Sequence, residues 1–337
     1  MHKIFIFIVL VYLVIAYSCQ MPSGGGFYFQ LHGFTQGTTY NNTYQVQDSI
    51  NYQPDIDSLL KDFDLSLSSY EPNSIISRIN NNDPDVLTDE HFNAVFRKSE
   101  EVFRESDGLF DITVMPLVNA WGFGPGQKVD VDKSLVDSLL VFVGMEKVKL
   151  IDNKIVKSDP RVQLDVNAIA QGYSVDIVAD FFDSKGIVNY MVEIGGEIRV
   201  RGINTKGQLW KVGIDRPEFG NNFPGEQLQA ILQLNNRSLA TSGNYRKYYE
   251  ENGVKITHTI NPKTGYPAVQ SILSATIIAD DCMTADAYAT VCMVSGLEKS
   301  KEILKNHKEL EGYLIYGNEA GWYQVFFTPG LKPMLVD

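Results

Sequence analysis

Asp286 and Thr290 stand four residues apart in Ala285-Asp286-Ala287-Tyr288-Ala289-Thr290, within a stretch rich in Ala and Met, free of Pro, that stops at Ser295-Gly296. That composition predicts a helix over 283–294 with a glycine terminator. On a helix, a spacing of four turns both side chains to one side. A carboxylate and a hydroxyl one turn apart are two hard oxygen ligands, a set that suits Mg²⁺ better than Zn²⁺. The plainer reading is an Asp facing the helix dipole from a first turn. What favours a ligand is the company the helix keeps. Ala240-Thr241-Ser242-Gly243-Asn244-Tyr245-Arg246 and Thr257-His258-Thr259-Ile260-Asn261-Pro262 precede it. The second run sets a histidine at a strand end beside a turn, where catalytic groups tend to lie. For His258 alone, a satisfied core histidine is the plainer reading. Histidine is also the usual acceptor of a proton from a weak hydroxyl nucleophile near neutral pH.

Charge constrains what such a site can hold. With 41 acidic and 29 basic residues the chain carries −12, which argues against nucleic acid or an anionic membrane surface as its main partner. A phosphate-bearing ligand therefore needs a metal, backbone N–H groups or a helix N-terminus nearby. Its 337 residues, 44% of them hydrophobic, are enough for a substantial core.

Residues 1–19 read as an export signal. Met1-His2-Lys3 is a short basic start, 4–16 is an apolar run too short to span a bilayer comfortably, and Tyr17-Ser18-Cys19 follows. A small residue before Cys19 resembles a bacterial lipoprotein cleavage site, although Ala16 stands where Leu is usual. The expected product is lipidated on Cys19 and held by a flexible tether over 20–26, with Pro22 and three glycines. The alternatives are an ordinary cleaved signal or an uncleaved anchor. Cys282 and Cys292 lie ten residues apart on one predicted helix, roughly 15 Å from each other, and cannot bridge.

The elements that position the chemistry follow from apolar spacing. Residues 27–46 predict strands around Gln36-Gly37-Thr38-Thr39-Tyr40, and 50–65 a helix. A short helix ends at Asn80, 88–106 is a long one, and 133–141 another. Glycines and aromatics crowd 106–125, which fits a packed corner or, less simply, a surface for a planar ligand. Residues 148–156 and 161–164 read as a strand pair. Asp165 in the loop entering a helix to Lys185 reads on its own as a cap. Strands follow at 190–194, 197–202, 210–214, 228–234, 238–241, 255–260 and 273–279. A helix at 299–306 and a hairpin of 312–316 with 321–328 end the chain. Antiparallel-looking strands interrupted by long helices indicate an α+β domain over 27–337 and exclude a doubly wound sheet.

Taken together, the run 107–125, the loop 165–172, the turn 241–245, the segment 258–267 and the run 285–290 resemble the ApbE family of FAD:protein FMN transferases, in order and approximate spacing. The resemblance covers about 36–327. It implies an ApbE-like, T-fold-like two-part α+β domain with mixed, largely antiparallel sheets and FAD in the cleft between the parts. It also implies cleavage of the FAD pyrophosphate, transfer of FMN to a Thr or Ser hydroxyl of an acceptor flavoprotein through a phosphoester, and release of AMP. Mg²⁺ would be held by Asp286, Thr290 and the backbone carbonyl of Ala168. FAD would contact Gln36, Tyr70, Leu109, Phe110, Asp111, Asp165, Gln171 and Ile260, and His258 would take the acceptor proton. Two positions depart from the family pattern: Gln36 stands where Met is usual, and Gln171 where Lys or another charged residue is frequent. A lipid anchor would place the protein at the inner or outer bacterial membrane, facing the periplasm. The competing readings are a metal-dependent FAD pyrophosphatase giving FMN and AMP, and a non-catalytic flavin-binding lipoprotein.

Overall fold

The computed structural model describes residues 26–217, 225, 227–244, 248–251, 254–268, 271–317 and 322–336. The expected signal, Cys19 and nearly all of the tether lie outside the described residues, as do Tyr245, Arg246 and Gly321. Among the described residues, no helix is long and apolar enough to cross a membrane.

Eight strands form one antiparallel sheet in the order β1 (Phe27–Thr35), β2 (Thr38–Val46), β5 (Tyr190–Ile194), β6 (Glu197–Arg201), β9 (Ser238–Gly243), β12 (Ile272–Ala279), β13 (Glu311–Gly317), β14 (Tyr323–Phe327). The β1–β2 turn is made by Gln36 and Gly37, both at positive φ, which leaves Thr35 opposite Thr38. Against one face lie α1 (Gln53–Leu67), α3 (Glu90–Glu105), α6 (Asn167–Ser184) and α7 (Cys282–Ser295), and their apolar stripes make the largest core with Phe92, Phe96, Ile169, Val291 and Met293. The hairpin of β7 (Trp210–Asp215) and β8 (Leu228–Leu234) joins a second core on the strands β6, β9, β12 and β13, through Trp210, Val212 and Leu232. The fold is thus the expected α+β arrangement with antiparallel sheets.

Several boundaries differ from the sequence reading for local reasons. Pro54 in the first turn starts α1 at Gln53, later than position 50. Residues 148–157 do not pair with 161–164. They close on themselves as β3 (Val148–Ile151) and β4 (Lys154–Lys157), because Asp152 and Asn153 both take positive φ in a two-residue hairpin turn. Of 161–164, Gln163 makes an isolated bridge to Val114. The crowded 106–125 run contains a short helix, α4 (Met115–Ala120), which its glycines and aromatics concealed. Around it, Leu117, Trp121, Val136 from α5 (Lys133–Leu140) and Ile260 form a separate small core. The strand expected over 255–260 is a ribbon, β10 (Tyr248–Glu251) with β11 (Val254–Thr257), paired with each other and not with the main sheet.

Candidate active site

Helices α6 and α7 meet through Gly172, where an added Cβ would lie 2.4 Å from the Cys282 carbonyl oxygen and 2.7 Å from the Asp286 Cβ. That close approach lets the Gly172 amide donate to Asp286 Oδ2 at 3.0 Å. In a regular helix the Ala168 carbonyl, the third proposed ligand, lies one turn before Gly172 on the same helix. The Asp286 carboxylate is 6% exposed and among the described residues accepts no other hydrogen bond. Burial, and then the charge of Asp176, push its pKa up to about 7. Thr290, one turn on, faces the end of β9, its Oγ1 3.3 Å from Ser242 Oγ. The donor set of one carboxylate, one hydroxyl and one carbonyl is all oxygen, as Mg²⁺ requires. Among the described residues there is no group of three or more His, Cys, Asp or Glu side chains that could hold a metal, at Asp286 or elsewhere.

His258 follows β11, and its neighbour Thr259 reaches the same strand end. Thr259 Oγ1 donates to Asn244 Oδ1 at 3.0 Å, and Asn244 lies two residues after Ser242. Two residues of extended chain span roughly 7 Å, so the end of β9 ties the helix that bears Asp286 and Thr290 to the segment that bears His258. The His258 ring stands edge-on to Phe123, centroids 6.3 Å apart. Phe123 in turn packs on Tyr249 and accepts through its carbonyl from the Tyr70 hydroxyl at 3.4 Å.

The remaining expected ligand contacts fall in two groups. Gln171 lies on α6 and Gln36 packs beside it: Ser174 Oγ donates to Gln36 Oε1 at 3.4 Å, while Gln36 Nε2 is buried without a partner. That orphaned donor fits a ligand acceptor placed beside α6. Tyr70, Leu109, Phe110, Asp111, Asp165 and Ile260 line the region around the 106–125 run. Partial burial, followed by the nearby Asp165 charge, pushes the Tyr70 phenol above its ordinary value. Burial likewise raises Asp165, which lies near Tyr70 and accepts from the Asn167 amide at 2.9 Å in a local turn; it is not the cap of α6, whose N-cap position is Val166 with no side-chain cap hydrogen bond. Phe110 and Ile260 are core residues at 2% and 7% exposure. Asp111 opens on a cavity of about 430 Å³ bordered by Gly108, Glu146, Pro262 and Lys263. Thr113 donates to Asp111 Oδ1 from its amide at 2.8 Å and its hydroxyl at 2.6 Å, and burial pushes the carboxyl up to about 6.

Three residues beside the site make contacts that the sequence reading did not show. Asp176 accepts from the amides of Cys282 and Met283 at 2.9 and 2.8 Å, capping α7 from α6 and fixing how the helix bearing Asp286 sits. Its signal was a lone acid among Val175, Ile177 and Val178. Glu197, buried just after the Gly195-Gly196 turn, is pushed well above the ordinary carboxylate range by burial and by Asp286. Asn244 lies in the turn 241–245 that carries the family resemblance, but its contact with Thr259 across the fold left no local signal. Asp281 is the side-chain cap of α7, accepting from the Thr284 amide at 2.7 Å.

Residues 36–314 match the ApbE family. An FAD:protein FMN transferase of Vibrio cholerae serotype O1 is 34% identical over 97% of this chain and 98% of its own length. One from Haemophilus influenzae is 36% identical over 87% of each chain. The solved structure of the flavin transferase ApbE from Vibrio cholerae superposes with a TM-score of 0.83 at 33% identity, covering 92% of this chain and all of that one.

Proposed function

The chain belongs to the ApbE family, and from that membership we propose that it is an enzyme, an FAD:protein FMN transferase that moves the FMN part of FAD onto a Thr or Ser hydroxyl of an acceptor protein. In the proposed step the acceptor oxygen bonds to the FMN phosphorus, the bond from that phosphorus to the bridging oxygen breaks, and AMP leaves with the bridging oxygen. His258 takes the hydroxyl proton, which makes an otherwise weak nucleophile competent. Asp286, Thr290 and the Ala168 carbonyl would hold Mg²⁺, which when bound offsets pyrophosphate charge in a chain that is otherwise −12. Gln36 offers a buried donor to the dinucleotide.

The observation that carries this reading is the convergence on the end of β9: Ser242 contacts Thr290 and Asn244 contacts Thr259, next to His258. The test is incubation with FAD, Mg²⁺ and an acceptor peptide bearing Thr in an Asp-x-Thr context, followed by mass analysis of peptide and nucleotides. An FMN-modified peptide with one AMP per modification is expected. Free FMN and AMP beside an unmodified acceptor would put a hydrolase in its place, and bound but intact FAD a carrier.

The same reading takes Cys19 as the lipidated first residue of the mature protein, held through 20–26 at the inner or outer membrane and facing the periplasm. Cys19→Ser is expected to shift the exported protein from the membrane to the soluble or unprocessed fraction on extraction. Unchanged partitioning would favour a plain anchor.

A further inference from the structure

The Gln171 amide spends both of its donor hydrogens inside the protein. Its Nε2 donates to the Ile194 carbonyl at 3.1 Å and to Glu197 Oε2 at 2.5 Å. A backbone carbonyl can only accept, so the Ile194 contact fixes which end of the amide is nitrogen. Gln171 Oε1 accepts nothing among the described residues. The backbone is shaped around this arrangement: at Gly195, φ +63, an added Cβ would lie 1.9 Å from Gln171 Nε2. Glu197 is 8% exposed and lies on β6, whose pairing with β5 fixes its backbone across the turn from Ile194.

We propose that Glu197 is a positioning residue for Gln171, and that the pair gives the FAD site an acceptor-only contact that reads a hydrogen-bond donor of the dinucleotide. The proposal rests on the FAD reading above and assigns the polarity of one contact within it. With its nitrogen committed, Gln171 has nothing to offer a phosphate oxygen. It suits an N–H or O–H group: the flavin imide, a ribityl or ribose hydroxyl, or the adenine amine. Glu197 does not touch the ligand in this arrangement. It holds the amide from turning its nitrogen outward.

The experiment measures binding of FAD to the whole exported domain by flavin fluorescence, with FMN and ADP as separate probes. Gln171→Leu is expected to weaken FAD about 10-fold, the scale of one lost hydrogen bond in a partly buried site. Glu197→Leu is expected to weaken it by a similar factor, and the double variant by no more than either alone, since both remove one contact. Glu197→Gln keeps an acceptor for the Gln171 nitrogen and is expected to recover most of the affinity. Glu197→Gln, nearly the same size and shape as the wild-type side chain, keeps the test decisive if Glu197→Leu fails to fold. Whichever of FMN or ADP loses affinity in Gln171→Leu carries the donor. Multiplying losses in the double variant, no rescue by Glu197→Gln, or unchanged binding of all three probes in Gln171→Leu would overturn the proposal. A wild-type protein that does not bind FAD would instead remove the reading beneath it.

Discussion

Asp286 reaches the site from a 14-residue helix buried along most of its length, whereas His258 reaches it from a two-stranded ribbon paired with nothing else among the described strands. The helix side is closed: Gly172 brings α6 against α7, Asp176 caps α7, and Asp286 and Glu197 are buried carboxylates. The ribbon side is held by side-chain contacts, with Tyr249 donating to the Trp121 carbonyl at 3.2 Å and Lys128 lying over the Tyr249 ring. A two-stranded ribbon has little stability of its own and depends on such packing. Charge handling needs a desolvated, rigid frame, because electrostatic interactions strengthen where water is excluded. A group that must meet the hydroxyl of another protein needs access, and the half-buried ribbon end provides it. The contrast implies that damage on the helix side removes metal-dependent chemistry altogether, while damage on the ribbon side slows transfer and spares binding.

The largest expected effect is on the helix side. Asp286→Ala removes the one charged oxygen among the proposed ligands and is expected to abolish Mg²⁺-dependent FAD turnover. Thr290→Val, which removes a neutral hydroxyl, is expected to raise the Mg²⁺ requirement much less. Turnover at saturating FAD across a Mg²⁺ titration separates the two. Wild-type turnover by Asp286→Ala at low Mg²⁺ would break the comparison at its first term.

On the ribbon side, His258→Ala is expected to slow single-turnover flavinylation by about 10²–10⁴ if His258 is the general base. FAD affinity should change little, because a proton acceptor acts mainly in the transition state. Equal losses of rate and affinity would make His258 a binding or structural residue. Asp281 would then be a poor substitute, since its carboxylate is occupied in capping α7 by Thr284.

The two sides also differed in how legible they were. The helical spacing of Asp286 and Thr290 is a periodic local signal, although the family resemblance was needed to single them out, and α7 was read to within a residue or two of its ends. The ribbon side was read as one strand because β10 and β11 are short and their pairing is local. The helix α4 was hidden by its turn-rich surroundings. Asn244, Ser242 and Glu197 matter only through partners 15, 48 and 26 residues away in sequence, and no periodicity reports such contacts. Of the family-implied contacts, burial gives Asp111 and Asp165 a chemical character that spacing had not, as carboxyls held above their ordinary range.

Gly172→Ala sharpens the comparison without removing a polar atom. Its Cβ would meet the Cys282 carbonyl and the Asp286 Cβ, backbone and a short side chain that cannot swing away. Forcing α6 from α7 is expected to cost about 3 kcal/mol, the upper part of the range for overpacking. Because the same displacement moves Asp286 from Ala168, apparent Mg²⁺ affinity should fall as well. Chemical unfolding and a metal titration on one preparation test both. A variant as stable as wild type would mean that the helices have room, and that the tightness of the helix side does not set its chemistry.

The smallest expected effect lies where the two sides share a border, at Asp111 beside the cavity that also touches Pro262 and Lys263. Burial holds its carboxyl at about 6 in the folded chain against 3.8 in the unfolded one. Between those values the folded state binds more protons than the unfolded state. This group's stabilisation is therefore complete below the unfolded value and is lost as pH rises through about 6. Asp111→Asn does not titrate, and its Oδ1 can still accept from both the Thr113 amide and hydroxyl. Stability of the wild-type protein relative to Asp111→Asn should thus fall by about 1 kcal/mol between about pH 5 and about pH 7.5, the part of the shift that this window spans. Urea unfolding of both proteins at the two pH values, without FAD or metal, gives the difference directly. Parallel pH dependences would show that Asp111 is solvated in the folded chain, and that the desolvated frame ends at the helices and does not extend to the cavity.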